Sequence, residues 1–202
     1  MSQLALPFDW KQAAGTEIIV SASNAHVARH FDHWSTWPVM AVLLTGPRKS
    51  GRTRFAAQFA LGSGGRMIDN AERQPEEAIF HAWNAAQEMR KPLVIVADQA
   101  PPGWTIRLPD LASRIAATPV VAIADPDDAL IGQLIERQLG QRGLAVAPEL
   151  VAFLLARVDR DYVAVHRLID ALDQVALTRR SRLSIPLARE ALALVGMIDP
   201  VT

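Results

Sequence analysis

Apolar residues fall into short unbroken runs over the first 125 residues and into three-to-four-residue spacing beyond them. Val39–Thr45, Pro92–Asp98 and Pro119–Ala124 are such runs, and Arg66-Met-Ile-Asp69 is a shorter one. Continuous apolar stretches of this length suit parallel strands covered on both faces. Helical segments separate them. Ser23–Trp34 carries an N-cap candidate ahead of helical composition, and Thr53–Leu61 runs until Gly62-Ser-Gly-Gly65, whose glycines make further helix costly. Pro75–Arg90 is amphipathic, with Ile79, Trp83, Ala86 and Met89 on one face. A proline-rich loop then leads to Leu108–Arg114. Alternating strands and helices predict an α/β fold with a parallel sheet and right-handed crossovers.

From Asp127 the strand signal disappears. Four helical stretches follow, near 127–142, 148–158, 161–178 and 186–195, punctuated by Gly143, Pro148 and Pro186. Tyr162, Val165, Leu168, Ile169, Leu172 and Val175 form a strong apolar stripe that predicts core. The expected division is a tail over 1–15, an α/β domain over 16–125 opening with an extended lead-in at Thr16–Val20, and a small all-helical domain over 126–202.

Composition narrows the function classes. Half of the 202 residues are apolar, enough for a sizeable core, and 21 Lys plus Arg balance 21 Asp plus Glu. That balance removes bulk attraction to nucleic acid or anionic membrane, so any DNA contact would be local. Cysteine is absent, which excludes disulfides and thiolate metal sites. No apolar segment is long enough to span a bilayer, and a cytoplasmic location is the expectation. The histidines show no ligand spacing; His26, His30 and His33 decorate a helix. Arg179, Arg180 and Arg182 form a basic cluster that suits a solvated helix end.

The chemistry-bearing motif follows the first strand. Gly46-Pro47-Arg48-Lys49-Ser50-Gly51-Arg52-Thr53 meets the phosphate-loop pattern G-x-x-x-x-G-K-[ST] except that arginine replaces lysine at Arg52. Backbone N–H groups of such a loop and of the following helix cradle phosphates, the hydroxyl at Thr53 suits Mg²⁺, and the lysine reaches the terminal phosphates. Arginine keeps the charge but presents a planar fork on a longer stem, so a nucleotide that binds would be a poor substrate. Whether the loop still binds nucleotide or keeps only the shape of one is open on these residues alone.

Several features together resemble the DnaA/Hda family of replication initiators and their regulators, within the AAA+ superfamily. Ile18-Ile-Val-Ser-Ala-Ser-Asn24 is similar to the segment flanking the adenine pocket, Met67-Ile-Asp69-Asn70 to the Walker B strand, and Val94-Ile-Val-Ala-Asp98 to the strand carrying sensor 1. Leu108-Pro-Asp-Leu-Ala-Ser-Arg-Ile115 matches the segment that carries the arginine finger, here Arg114. Gln3-Leu4-Ala5-Leu6-Pro7-Phe8 is similar to the peptide that docks on the DNA polymerase III sliding clamp (β subunit). Its Gln3 would bond at a pocket rim while Leu4, Leu6, Pro7 and Phe8 fill it. The resemblance implies ADP or ATP with Mg²⁺ in the loop, Thr53 and Asp69 at the metal, and DnaA and the clamp as partners. It also implies DNA contact through the clamp and leaves self-association open.

The chain departs from the family in three places. Only seventeen positions separate Arg52 from Asp69, too few for the strand and helix that relatives place there. The expected sheet is therefore reduced to four strands, in the family order fifth, first, fourth, third, with Arg66–Asp69 at the edge. Asn70 stands where an acidic residue helps activate water. Val163 stands at the lid's sensor 2 arginine, flanked by Arg160 and Arg167. The implied function is a clamp-bound regulator that drives ATP hydrolysis on DnaA in trans, with weak or no ATPase of its own. A DnaA-type initiation factor and a clamp-loader-like ATPase are the alternatives.

Overall fold

Ala41–Thr45 (β1) and Leu93–Val96 (β3) are buried at every position, as centre strands of a two-sided sheet must be. In this computed structural model, which describes residues 18–198, they pair in parallel from Ala41 opposite Leu93 to Leu44 opposite Val96. Val120–Ala122 (β4) flanks β1 on the other side, and Arg66–Ile68 (β2) flanks β3. The order is β2-β3-β1-β4, all parallel, and it is the four-strand arrangement expected from the shortened stretch between Arg52 and Asp69. β2 is three residues long, begins on an exposed arginine and leaves one edge unpaired; shortness and charge blunt such an edge.

Helix Ala25–Asp32 (α1) precedes β1, and Arg52–Ser63 (α2), Glu76–Met89 (α3) and Pro109–Ala116 (α4) connect the strands. Phe31 of α1, Phe59 of α2 and Trp37 form an aromatic cluster, the two phenylalanine rings stacked at 4.5 Å. Two expectations need correction. Helix α2 passes through Gly62 and stops at Gly64, whose φ of +65° supplies the left-handed C-cap. Met89 is 53% exposed rather than on the buried face of α3, because Arg90 turns left-handed and ends the helix there. Ile18–Val20 pairs with no strand.

The chain separates into two compact units at Ala124/Asp125. The second contains Asp128–Gln141 (α5), Pro148–Leu155 (α6), Tyr162–Arg179 (α7) and Ile185–Leu194 (α8). Asp127 and Asp161 cap α5 and α7 by accepting the N–H of Leu130 at 2.8 Å and of Ala164 at 2.7 Å. Proline opens α6, where an N–H would be unpaired in any case. All six residues of the predicted α7 stripe are buried. The candidate clamp-docking residues Gln3, Leu4, Leu6, Pro7 and Phe8 lie outside the described residues.

Candidate functional site

In a parallel sheet every strand delivers its following loop to the same edge, the carboxyl end, where open α/β folds bind ligands. Gly46 follows β1, Asp69 follows β2, Asp98 lies just past β3 and Ile123 follows β4, so the sequence-predicted residues of the loop share that edge. Gly46 has φ +147°, and a Cβ there would stand 2.9 Å from both Cβ and O of Ile123, so only glycine fits. Lys49 and Gly51 are both left-handed, at φ +66° and +90°, and bracket Ser50. The Ser50 hydroxyl is buried with no hydrogen-bond partner among the described residues, as expected of a loop shaped to meet a polar ligand. Pro47, Arg48 and Lys49 are in this loop, and the Pro47 carbonyl accepts the N–H of Ser50 at 3.2 Å.

Thr53 and Asp69 come together. The Thr53 hydroxyl donates to Asp69 Oδ2 at 3.1 Å and lies 3.3 Å from Oδ1. A hydroxyl beside a carboxylate fits a hard, oxygen-seeking cation that takes its other ligands from phosphate and water. Among the described residues no group of three His, Asp or Glu could hold a metal by itself. Asn70, at φ +49°, donates its N–H to Asp69 Oδ1 at 3.0 Å and opens the 3-10 turn Ala71–Arg73. The local role of Asn70 is thus to turn the chain.

Arg52 is committed elsewhere. Its guanidinium donates to Asp98 Oδ1 and to the Ala97 carbonyl, and its side chain is only 12% exposed. The Arg52 hydrogen bond holds the Asp98 carboxyl below the usual carboxylate range, helped by the charges of Arg48 and Arg73. Glu72 accepts the backbone N–H of Asp98 and so anchors the main chain at that residue. Sequence reading gave Glu72 no role, and its position two residues after Asn70 offered no spacing signal.

Arg114 lies in the last turn of α4, against α3. Its Nε donates to Asn84 Oδ1 at 2.8 Å and its Nη1 to the Asp110 carbonyl at 3.2 Å, while the guanidinium carbon lies 4.4 Å from the Phe80 ring centroid and 5.4 Å from that of Trp83. No carboxylate among the described residues pairs with it. Trp83 Nε1 donates to Thr118 Oγ1 at 3.0 Å, and that hydroxyl donates to the Arg114 carbonyl at 2.8 Å. Glu76, at the start of α3, accepts the N–H groups of Arg107 and Leu108 just ahead of α4; these bonds, Arg107 first, lower its pKa. Phe80, Asn84 and Glu76 were not singled out by sequence, because their role depends on α4 packing against α3.

In the helical unit, Val163 is partly exposed at the start of α7, and Arg160 is engaged by Asp128 at 2.8 Å and by the Val158 carbonyl. Arg167 is exposed. Of the basic cluster, Arg179 pairs with Glu190 at 3.1 Å, and Arg180 is the left-handed C-cap of α7.

Known proteins place this arrangement. Domain III of the replication initiation protein DnaA from Thermotoga maritima superposes with a TM-score of 0.70 at 15% identity, covering 91% of this chain and 95% of that one. DnaA from Aquifex aeolicus, in a structure bound to AMPPCP, gives 0.58 at 14% identity over 81% and 67% of the two chains. The Holliday junction branch migration motor RuvB of Thermotoga maritima gives 0.65 at 14% identity over 92% and 72%. The fold is therefore the one shared by DnaA domain III and RuvB. The family model described as Hda, lid domain, matches residues 128–192, the span of α5 to α8. The likeness to Hda thus covers the helical unit, and the likeness to DnaA domain III is one of fold.

Proposed function

We propose that this protein is a sliding-clamp-associated regulator of replication initiation that inserts Arg114 into the active site of ATP-bound DnaA and accelerates hydrolysis there. The carrying observation is the state of Arg114: half-buried, its stem fixed by Asn84, Phe80 and Trp83, its charge matched by no carboxylate. An arginine finger needs a positive group aimed with little freedom at charge that develops on the transferred phosphoryl. The Hda lid match and the DnaA-type fold support DnaA as the recipient.

In this reading residues 1–15 form the docking tail, with Gln3, Leu4, Leu6, Pro7 and Phe8 in the clamp; residues 16–125 form the loop domain and 126–202 the lid. Gly46–Thr53 holds ADP or ATP, with Thr53 and Asp69 at Mg²⁺. The bound metal supplies charge neutralisation; this chain's residues bind and orient. Intrinsic turnover is weak, since Arg52 is engaged by Asp98 and Asn70 is no base. Among the described residues no helix is long and apolar enough to cross a membrane. A regulator working on DnaA and the clamp acts in the cytoplasm.

The test is to load DnaA with labelled ATP and add clamp on DNA, with and without this protein. Faster conversion to ADP only when clamp and protein are both present supports the proposal. Unchanged conversion, or origin-selective DNA binding by the protein itself, contradicts it and favours an initiation factor.

A further inference from the structure

Asp98 is an anion set among cations at the mouth of a phosphate loop. Arg52 bonds it directly, and the positive charges of Arg48 and Arg73 act on it as well. Its backbone N–H is held by Glu72, so the carboxylate is presented from a fixed base. Arg52 is the first residue of α2, where the helix dipole already concentrates positive charge and a cation is unfavourable without an anion beside it. The Asp98 carboxylate thus sits against features a phosphate would seek: a guanidinium fork at the first residue of a helix, with two further cations acting on it.

We propose that Asp98 is a resident anion that competes with nucleotide phosphate for Arg52, and so sets the affinity of the loop. This rests on the reading that Gly46–Thr53 binds nucleotide. The planar fork makes the competition effective. Arg52 reaches two acceptors at once, Asp98 Oδ1 and the Ala97 carbonyl, where a lysine ammonium would offer a single point of charge. A terminal phosphate must displace that carboxylate and then tolerate its negative charge nearby. Asp98 is 63% exposed, so on losing Arg52 it turns to solvent rather than being stranded.

The experiment is equilibrium binding of fluorescent ATP and ADP, with Mg²⁺, to the full chain and to Asp98→Asn, Asp98→Ala, Arg52→Ala and the Arg52→Ala/Asp98→Asn pair. Circular dichroism and thermal midpoint establish folding of each. Removing the Asp98 charge is expected to tighten ATP binding up to about fivefold, the effect of one part-exposed charged contact of about 1 kcal/mol. With Arg52 already alanine, the same change is expected to bring little gain. Unchanged or weaker binding in both Asp98 variants overturns the competition while leaving nucleotide binding intact, as does an equal gain with and without Arg52. If no folded variant binds nucleotide, the nucleotide reading and the competition fall together.

Discussion

Asn84 Oδ1 receives the Nε–H of Arg114 at 2.8 Å, joining the middle of α3 to the last turn of α4. The bond fixes the stem of a guanidinium whose face already rests on Phe80, and with Nη1 donating to the Asp110 carbonyl it leaves the Nη2 N–H groups to reach a partner. Asn84→Ala is expected to destabilise the fold by about 1 kcal/mol, the usual net value of one such bond. It is expected to lower stimulation of DnaA-bound ATP hydrolysis several-fold without changing clamp capture. Urea unfolding and the hydrolysis assay check the two parts. A loss of stability with stimulation untouched would make Asn84 a strut only.

In the proposed reading, the pairing of Thr53 with Asp69 makes nucleotide affinity depend on metal. In the wild type, adding Mg²⁺ is expected to strengthen nucleotide binding. In Asp69→Asn the two titrations, with Mg²⁺ and with chelator, are expected to coincide. Persistent metal dependence in that variant would move the cation away from Asp69.

His30 stacks on Trp37 at 5.0 Å, its Nε2 buried with no hydrogen-bond partner among the described residues, and burial lowers its pKa. A lowered folded-state pKa means that the unfolded chain takes up the proton first. Stability is then full above about pH 6.5 and falls as the pH drops through that value toward the folded pKa. Between pH 7.5 and 5.5, His30→Phe is expected to lose less thermal stability than the wild type. Parallel melting curves for the two proteins over that range would exclude His30 as the source.

The helical unit has its own core and its own caps. Leu168→Ala, at a fully buried position of α7, is expected to cost about 2–5 kcal/mol, and Asp161→Ala, which removes the N-cap, about 1 kcal/mol. Chemical denaturation followed by circular dichroism measures both, and the reverse ranking would contradict the packing described for α7.

Legibility of the sequence followed the range of the interaction. Strands β1 and β3 are written as unbroken apolar runs, and the α7 stripe is written at helical spacing, so both were readable from local pattern. The missing strand and helix showed in the bare count between Arg52 and Asp69, which gave the four-strand order. Helix ends were less readable: Gly62 has nothing to mark it as tolerated while Gly64 caps, since the difference lies in backbone dihedrals. Met89 fits the period of α3 but falls on its last turn, where periodicity no longer implies a covering partner. The engagements of Arg52 with Asp98 and of Arg114 with Asn84 join residues 46 and 30 positions apart, which one sequence cannot pair.

The central claim is that Arg114 acts on a triphosphate held by another protein. The direct measurement is the rate of hydrolysis of DnaA-bound ATP, with clamp loaded on DNA, in the presence of wild-type protein and of Arg114→Ala shown by circular dichroism to be folded and by pull-down to bind the clamp. The account predicts that the variant reduces the rate to about that of DnaA without the regulator, a loss on the order of 10³-fold or more where a finger supplies its usual share. Equal rates with the two proteins would contradict it.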